Sequence, residues 1–349
     1  MRVMCCLIML LFLFSCQKDP SSSGEEWHPQ RILDGVFILN EGNFGKINAS
    51  LSFYDPETDQ IYNHVFKRAN NRDLGSIAQS MVFLDSIAIV VVNGSDKLEV
   101  FNAHTFKEVR TVELPPGSSP RHITILNRDK AYVTQLYNNR CTVLNLNNWQ
   151  IIKQIVVGDY PEGAAIANDN LYVANSGFGN GNTVSVIATG SDEVIKTITV
   201  ADNPMTVKVA QDKVYVLCSG SYGADLLSTE DDTPGGLFCI DAQSNTILDS
   251  IGISGHPSRL TLTENGTGYF IESTGVVQIN YMDMQINEGT FITGFYYGLD
   301  YDPVSKKLYI LDAKDFVQNG QLLIYDTQGT KLSKHMVGII PGNVGFYYE

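Results

Sequence analysis

Apolar and polar side chains alternate in short stretches along most of the chain, and no segment shows sustained helical spacing. Ile151-Ile152-Lys153-Gln154-Ile155-Val156-Val157 and Val194-Ile195-Lys196-Thr197-Ile198-Thr199-Val200 set Val, Ile and Thr at the period of two expected of half-buried strands. Ahead of such stretches stands an apolar pair closed by Asn or Asp: Val100-Phe101-Asn102, Val143-Leu144-Asn145, Cys239-Ile240-Asp241, Ile324-Tyr325-Asp326. Further upstream come Tyr132-Val133, Tyr172-Val173 and Tyr215-Val216, with relatives at Tyr269-Phe270 and Tyr309-Ile310. A short apolar strand such as Ile123-Thr124-Ile125-Leu126 opens the phrase. The pattern predicts units of four strands, with the Tyr-Val strand second and its tyrosine packed between units.

Each phrase begins at an anchor: near Ala78, then Pro120, Pro161, Pro204, Pro257, Tyr297 and Pro341. A strand-only repeat of roughly 40 to 45 residues is the signature of a β-propeller, and the anchors predict about seven blades. Only one strand, Asn343 to Tyr348, follows the last anchor. Val36-Phe37-Ile38-Leu39, Leu51-Ser52-Phe53-Tyr54 and Ile61 to Phe66 supply three more at the other end, so the two ends are expected to share one blade and close the ring. The expected organisation is a leader over 1–15, a flexible tether over 16–33 and one all-β propeller over 34–349. Between Pro204 and Pro257 the spacing grows by about ten residues, which places an acidic, Gly-rich insertion at Ser219 to Gly236.

In a four-stranded antiparallel blade the loop entering the first strand and the loop joining the second to the third emerge on the same face. Candidate ligand-binding residues are therefore those just after the second strands (Asn40, Asn93, Gln135, Asn175, Ser219, Glu272, Asp312) and those at the anchors (Gln79, Arg121, His122, Glu162, Met205, Arg259, Tyr296, Asn343). Aromatic candidates on the same loops are Phe44, Tyr137, Phe178, Tyr222, Tyr297 and Phe316. Amides, carboxylates, a few bases and apolar plates suit a sizeable neutral ligand better than a polyanion. Asn and Asp at strand ends also cap turns, and this structural role competes at each position.

The formal net charge of -14 argues against nucleic acid and anionic lipid as partners. No His-Glu-x-x-His, Cys-x-x-Cys or Gly-x-Ser-x-Gly occurs, and the histidines are scattered, so neither a metal nor a catalytic cofactor is expected. Gly177-Phe178-Gly179-Asn180-Gly181 reads as a hairpin turn. Asp300 and Asp302 flank Tyr301 and could pair as acid and base, although a turn before Pro303 explains them too. Beyond Cys16 the cysteines are Cys141, Cys218 and Cys239, too sparse for a disulfide framework. Cys218 and Cys239 could face each other across a hairpin, or act as two buried thiols. Met1 to Ser15, with Arg2 before an apolar run, reads as an export signal too short to anchor stably across a bilayer.

Leu13-Phe14-Ser15-Cys16 resembles a bacterial lipobox, which implies lipidation of Cys16. Tyr172-Val173-Ala174-Asn175 with Thr183-Val184-Ser185-Val186-Ile187 and Pro204 resembles the repeat of the YVTN, YncE-like seven-bladed propellers. The N-terminal blade, Phe37 to Gly45 and Asn48 to Asp55, together with the lipobox, resembles Bacteroidetes surface lipoproteins of the BtuG type. That resemblance implies an outer-membrane, surface-exposed lipoprotein that binds cobalamin or another corrinoid as ligand and hands it to a TonB-dependent transporter. Two other classes stay open: a structural or adhesive surface propeller, and a propeller lyase or lactonase using Glu272, Asp312 and His122.

Overall fold

The computed structural model describes residues 34–224 and 229–349. The leader, Cys16 and the tether lie outside them. Seven antiparallel sheets follow one another in chain order around a ring. Their inner strands are Ala78–Leu84, Pro120–Asn127, Pro161–Ala167, Pro204–Ala210, Ser258–Leu262, Gly298–Asp302 and Pro341–Tyr347. The last of these pairs with Gly35–Asn40, in the register Val36 to Phe346 and Ile38 to Val344, so the final strand completes the first blade. Ring closure by the two ends leaves no blade half built.

The Tyr-Val strands explain why the blades stay together. Tyr132, Tyr172, Tyr215 and Tyr309 are all fully buried. The Tyr132 hydroxyl crosses to the next blade and donates to Asp192 Oδ1 at 2.6 Å, and Tyr172 reaches Asn245 in the same way. Each ring removes enough apolar surface to stabilise the blade interface by about 2 kcal/mol, and at Tyr132 and Tyr172 the hydroxyl keeps a partner as well.

Two expectations need correction, and one pair of alternatives resolves. Ile61 to Phe66 is not one strand: pairing ends at Gln60–Tyr62, and a six-residue helix, Val65–Asn70, follows. Val65, Phe66 and Ala69 are buried with Phe101 and Phe106, so tertiary packing holds a helix too short to show a period. In the blade led by Ser258–Leu262 the outer strand is broken into Gln285–Ile286 and Ile292–Thr293, both paired to Gly275–Asn280. Finally, Cys218 lies opposite Gly236 and Cys239 opposite Tyr215, so the two thiols are not cross-strand partners; both are free and buried. Burial pushes the Cys218 thiol up to about 12, leaving it protonated and inert.

The strand starts share a further irregularity that positions the site. In six of the seven inner strands the register slips by one residue just after the anchor, between Ala78 and Ser80, Pro120 and Ile123, Pro161 and Ala164, Pro204 and Thr206, Ser258 and Thr261, and opposite Leu39 and Asn40. Such β-bulges insert one extra residue and re-aim its side chain. The residue before the bulge adopts a left-handed backbone at Ile77, Ser119, Tyr160, Asn203 and Ile340, and Arg259 does so itself. The residues so displaced are Gln79, Arg121, Glu162, Met205, Arg259 and Gly342, one in each of these six blades.

Candidate functional site at the channel mouth

Gln79, Arg121, Glu162, Arg259 and Gly342 meet at the mouth of the central channel. Arg121 donates to Glu162 on the next blade through Nε (2.7 Å to Oε2) and Nη2 (3.1 Å to Oε1). Glu41, from the loop after Gly35–Asn40, fills the space left by a glycine in the seventh strand: a Cβ on Gly342 would lie 2.2 Å from Glu41 Oε1. Its Oε2 accepts from Gln79 Nε2 at 3.1 Å and from the Tyr297 hydroxyl at 3.0 Å, so the carboxylate ties the closing blade to both neighbours. Arg259 reaches in from one blade further round. Its Nε donates to the Tyr297 carbonyl at 3.0 Å, its guanidinium sits 5.1 Å from the Tyr297 ring centroid, and Nη2 stops 3.7 Å from Glu41 Oε1.

The electrostatics follow from burial. Desolvation holds the Glu41 carboxyl above the ordinary glutamate value, a rise that Arg259, Tyr297, Arg121 and Gln79 offset in part. The Tyr297 phenol is pushed up to about 12 by burial and by the Glu41 charge, so it remains a donor. Arg121 is held above its ordinary value by Glu162 against the cost of burial. Below this ring, Lys208 Nζ lies 3.8 Å from Asp300 Oδ2 on a blade two places on, and Asp300 Oδ1 accepts from Thr261 Oγ1 at 2.8 Å. His122 faces the same space, and burial together with the Lys208 charge brings its imidazole down to about 4.

Around the mouth the loops expose aromatic side chains. Tyr137, Tyr160 and Phe178 form one ledge, with ring centroids 6.0 and 5.5 Å apart. Phe295, Phe316 and Tyr297 form a second, at 6.4 and 5.4 Å. Asn43 Nδ2 donates to the Phe316 carbonyl at 2.8 Å, which fixes the loop carrying Phe44 beside it. Tyr222 stacks on His256 at 3.7 Å, and the two His256 ring nitrogens lie 2.9 Å from the Ser219 carbonyl and 3.0 Å from Asp232 Oδ2. The Asp232 end of the acidic insertion is thereby latched beside the rim. Exposure is large for apolar rings: 88% at Phe44, 69% at Phe178, 64% at Phe295 and 57% at Tyr137.

With this geometry established, residues 34–348 match the family described as a domain of unknown function, DUF5074. The chain belongs to that family. No curated protein matches it. Among solved structures it is similar to a quinoprotein alcohol dehydrogenase-like protein from Bacteroides thetaiotaomicron, with 16% identity and a TM-score of 0.67 over 89% of this chain and 78% of that one. A functionally unknown protein from Desulfotomaculum acetoxidans gives 16% and 0.65 over 90% and 99%. Hydrazine synthase of Kuenenia stuttgartiensis gives 20% and 0.56 over 73% and 85%. At these identities the likeness establishes the propeller fold alone.

Within this DUF5074 propeller the expected site residues divide by position. Those after the anchors, Gln79, Arg121, Glu162 and Arg259, converge with Tyr297 at the mouth. Asn343 sits on the last inner strand with its Oδ1 buried and without a partner. Those ending second strands mostly turn away from the face. Asn40 donates to Ser50 Oγ and Ser52 Oγ, Gln135 to Thr142 Oγ1, and Asn175 to Thr183 Oγ1 and Ser185 Oγ. All three are fully buried, and their amides hold the third strand. Asn93 donates to the Pro120 carbonyl and Ser219 to that of Pro257, each fastening the next blade's anchor.

Asp312 caps its own loop, accepting from Lys314 N at 2.8 Å, and Tyr296 donates to the Thr293 carbonyl. Glu272 is raised by burial. Glu272, Asp312 and His122 stand on three different blades, and no hydrogen bond joins them. Asp302 is buried as a turn cap, accepting from Val304 N and Ser305 N, while Asp300 faces the channel, so the two are engaged separately. Among the described residues no three His, Cys, Asp or Glu side chains converge as metal ligands would, and no helix is long and apolar enough to cross a membrane. Sequence reasoning missed Glu41, Lys208, Tyr160, Asp232 and Phe295 as members of the site. Glu41 had a readable signal, a lone carboxylate between Asn40 and Gly42 at the end of a wholly apolar strand.

Proposed function

We propose that this chain is a capture protein that takes a large, flat, largely neutral small molecule on its loop face, and that the ligand is cobalamin or a related corrinoid. The observation that supports this most is the pair of exposed aromatic ledges facing a compact polar mouth. Apolar rings exposed to this degree on one face mark a binding surface. A macrocycle laid across the mouth would rest on Tyr137, Tyr160 and Phe178 at one side and on Phe44, Phe295 and Phe316 at the other. Its polar periphery would meet Arg121 and Arg259. The resemblance of the N-terminal blade and lipobox to BtuG-type lipoproteins adds the setting: lipid attachment at Cys16, the outer membrane's exposed surface, and delivery to a TonB-dependent transporter.

Glu272, Asp312 and His122 stand on three different blades with no hydrogen bond between them, which favours binding over a lyase or lactonase reaction. An adhesive role would require the face to meet only another protein. Calorimetric titration of the purified chain with cyanocobalamin, paired with co-elution of its red colour, decides the matter. One site per chain is expected; absence of heat and of colour at micromolar ligand would sink the reading.

A further inference from the structure

The polar mouth holds donors and an acceptor that do not satisfy one another. Glu41 Oε1 is buried and has no hydrogen-bond partner. The nearest cation, Arg259 Nη2, is 3.7 Å away, beyond hydrogen-bond length. Among the described residues no hydrogen bond engages the terminal nitrogens of Arg259 or Nη1 of Arg121. A buried acceptor left open costs about 1–3 kcal/mol and calls for a reason. Gly342 preserves the place: any side chain there would occupy the position of Oε1. The Arg259 backbone, at φ 57°, holds its guanidinium over the gap with 32% of the side chain exposed.

From this juxtaposition we infer that the mouth recognises a primary carboxamide on the captured molecule, its carbonyl accepting from Arg259 and its N–H donating to Glu41 Oε1. The inference rests on the capture reading and specifies which group of the ligand is gripped. The chemistry selects against charged alternatives. A carboxylate or phosphate would satisfy the guanidiniums, yet it would set like charge against Glu41 and Glu162. An ammonium would satisfy Glu41 and be repelled by both arginines. A neutral group carrying donor and acceptor side by side meets both open positions without leaving either unpaired. Tyr297 and Gln79 occupy Oε2, which directs the free valence of Glu41 to Oε1 alone.

The test uses small probes, so it does not depend on the full ligand. The side-chain Nε–H of Arg259 is followed by NMR while the intact chain is titrated with propionamide, propionate and propylammonium. Propionamide is expected to bind about fivefold tighter than either ion, the scale of one net hydrogen bond. In Glu41→Gln the amide oxygen takes over the bonds of Oε2 and an N–H replaces the open acceptor. Two donors then face the ligand, and the preference should reverse toward propionate by a similar factor. Arg259→Gln, read through the Tyr297 resonances, should lose the propionamide response and serves if Glu41→Gln does not fold. Equal or stronger binding of propionate by the unaltered chain, or an unchanged preference in Glu41→Gln, overturns the inference. A chain that answers propionamide but not cyanocobalamin keeps this inference and loses the corrinoid; the opposite result loses only this one.

Discussion

His122 shows how position in the channel sets a protonation state. Burial is the larger cause of its fall from 6.5 to about 4, the Lys208 charge adds to it, and the Ala164 backbone opposes both. The folded protein thus refuses a proton that the unfolded chain accepts between those two values. Stability attributable to this group is present in full above pH 6.5 and is lost as the pH falls toward 4, by up to about 3 kcal/mol at 1.36 kcal/mol per unit. His122→Gln carries no such proton. Urea unfolding of both proteins at pH 7 and pH 4.5 should show the wild type losing more stability than the variant on acidification. Equal losses would mean that solvent in the channel already reaches the imidazole.

At the scale of the strand, the bulge near six of the seven anchors turns a repeated phrase into a site, and Gly342 is its most exacting member. Gly342→Ala puts a methyl group where Glu41 Oε1 lies, so the carboxylate must leave and both of its hydrogen bonds go with it. A cost of about 2–4 kcal/mol is expected, measured as a lower urea midpoint. Glu41→Ala made together with Gly342→Ala should cost less than the sum of the two alone, because the first removes what the second collides with. Additive losses would show that the clash is relieved elsewhere. The strand scale is also where reading the sequence succeeded and stopped. The Tyr-Val phrase and the prolines locate the blades because packing and backbone geometry repeat, and in six of the seven blades the same bulge near the anchor displaces one residue. Glu41 escaped because its partner is the absence of a side chain about 300 residues later, at Gly342. Asn40, Gln135 and Asn175 carried both roles in the sequence because a strand-end amide serves a neighbouring hydroxyl as readily as a ligand. The helix Val65–Asn70 is held by aromatic contacts from another blade, which no local pattern records.

Closure gives the whole molecule a vulnerability that an open repeat lacks. In a linear array, removing the terminal repeat costs one interface and leaves the remainder folded. Here the last strand serves as the innermost layer of the first blade, and its residues enter two separate cores: Val344 packs with Val36, Ile38 and Tyr309, and Tyr347 with Phe37 and Phe106. Deleting Pro341 to Glu349 exposes those partners, removes the Gly342 gap and uncovers the hydrogen-bonding edge of Gly35–Asn40. Burial of Val344, Tyr347 and part of Phe346 contributes about 5 kcal/mol, comparable to the whole stability of many domains. The shortened chain is therefore expected to lose its cooperative thermal transition and to associate through the open edge, seen as larger species in light scattering. Supplying residues 335–349 as a separate peptide should restore the monomer and the transition, since the strand acts by pairing rather than by its covalent link. A truncated chain that stayed monomeric with an unchanged melting temperature would mean that the other six blades hold the ring without closure.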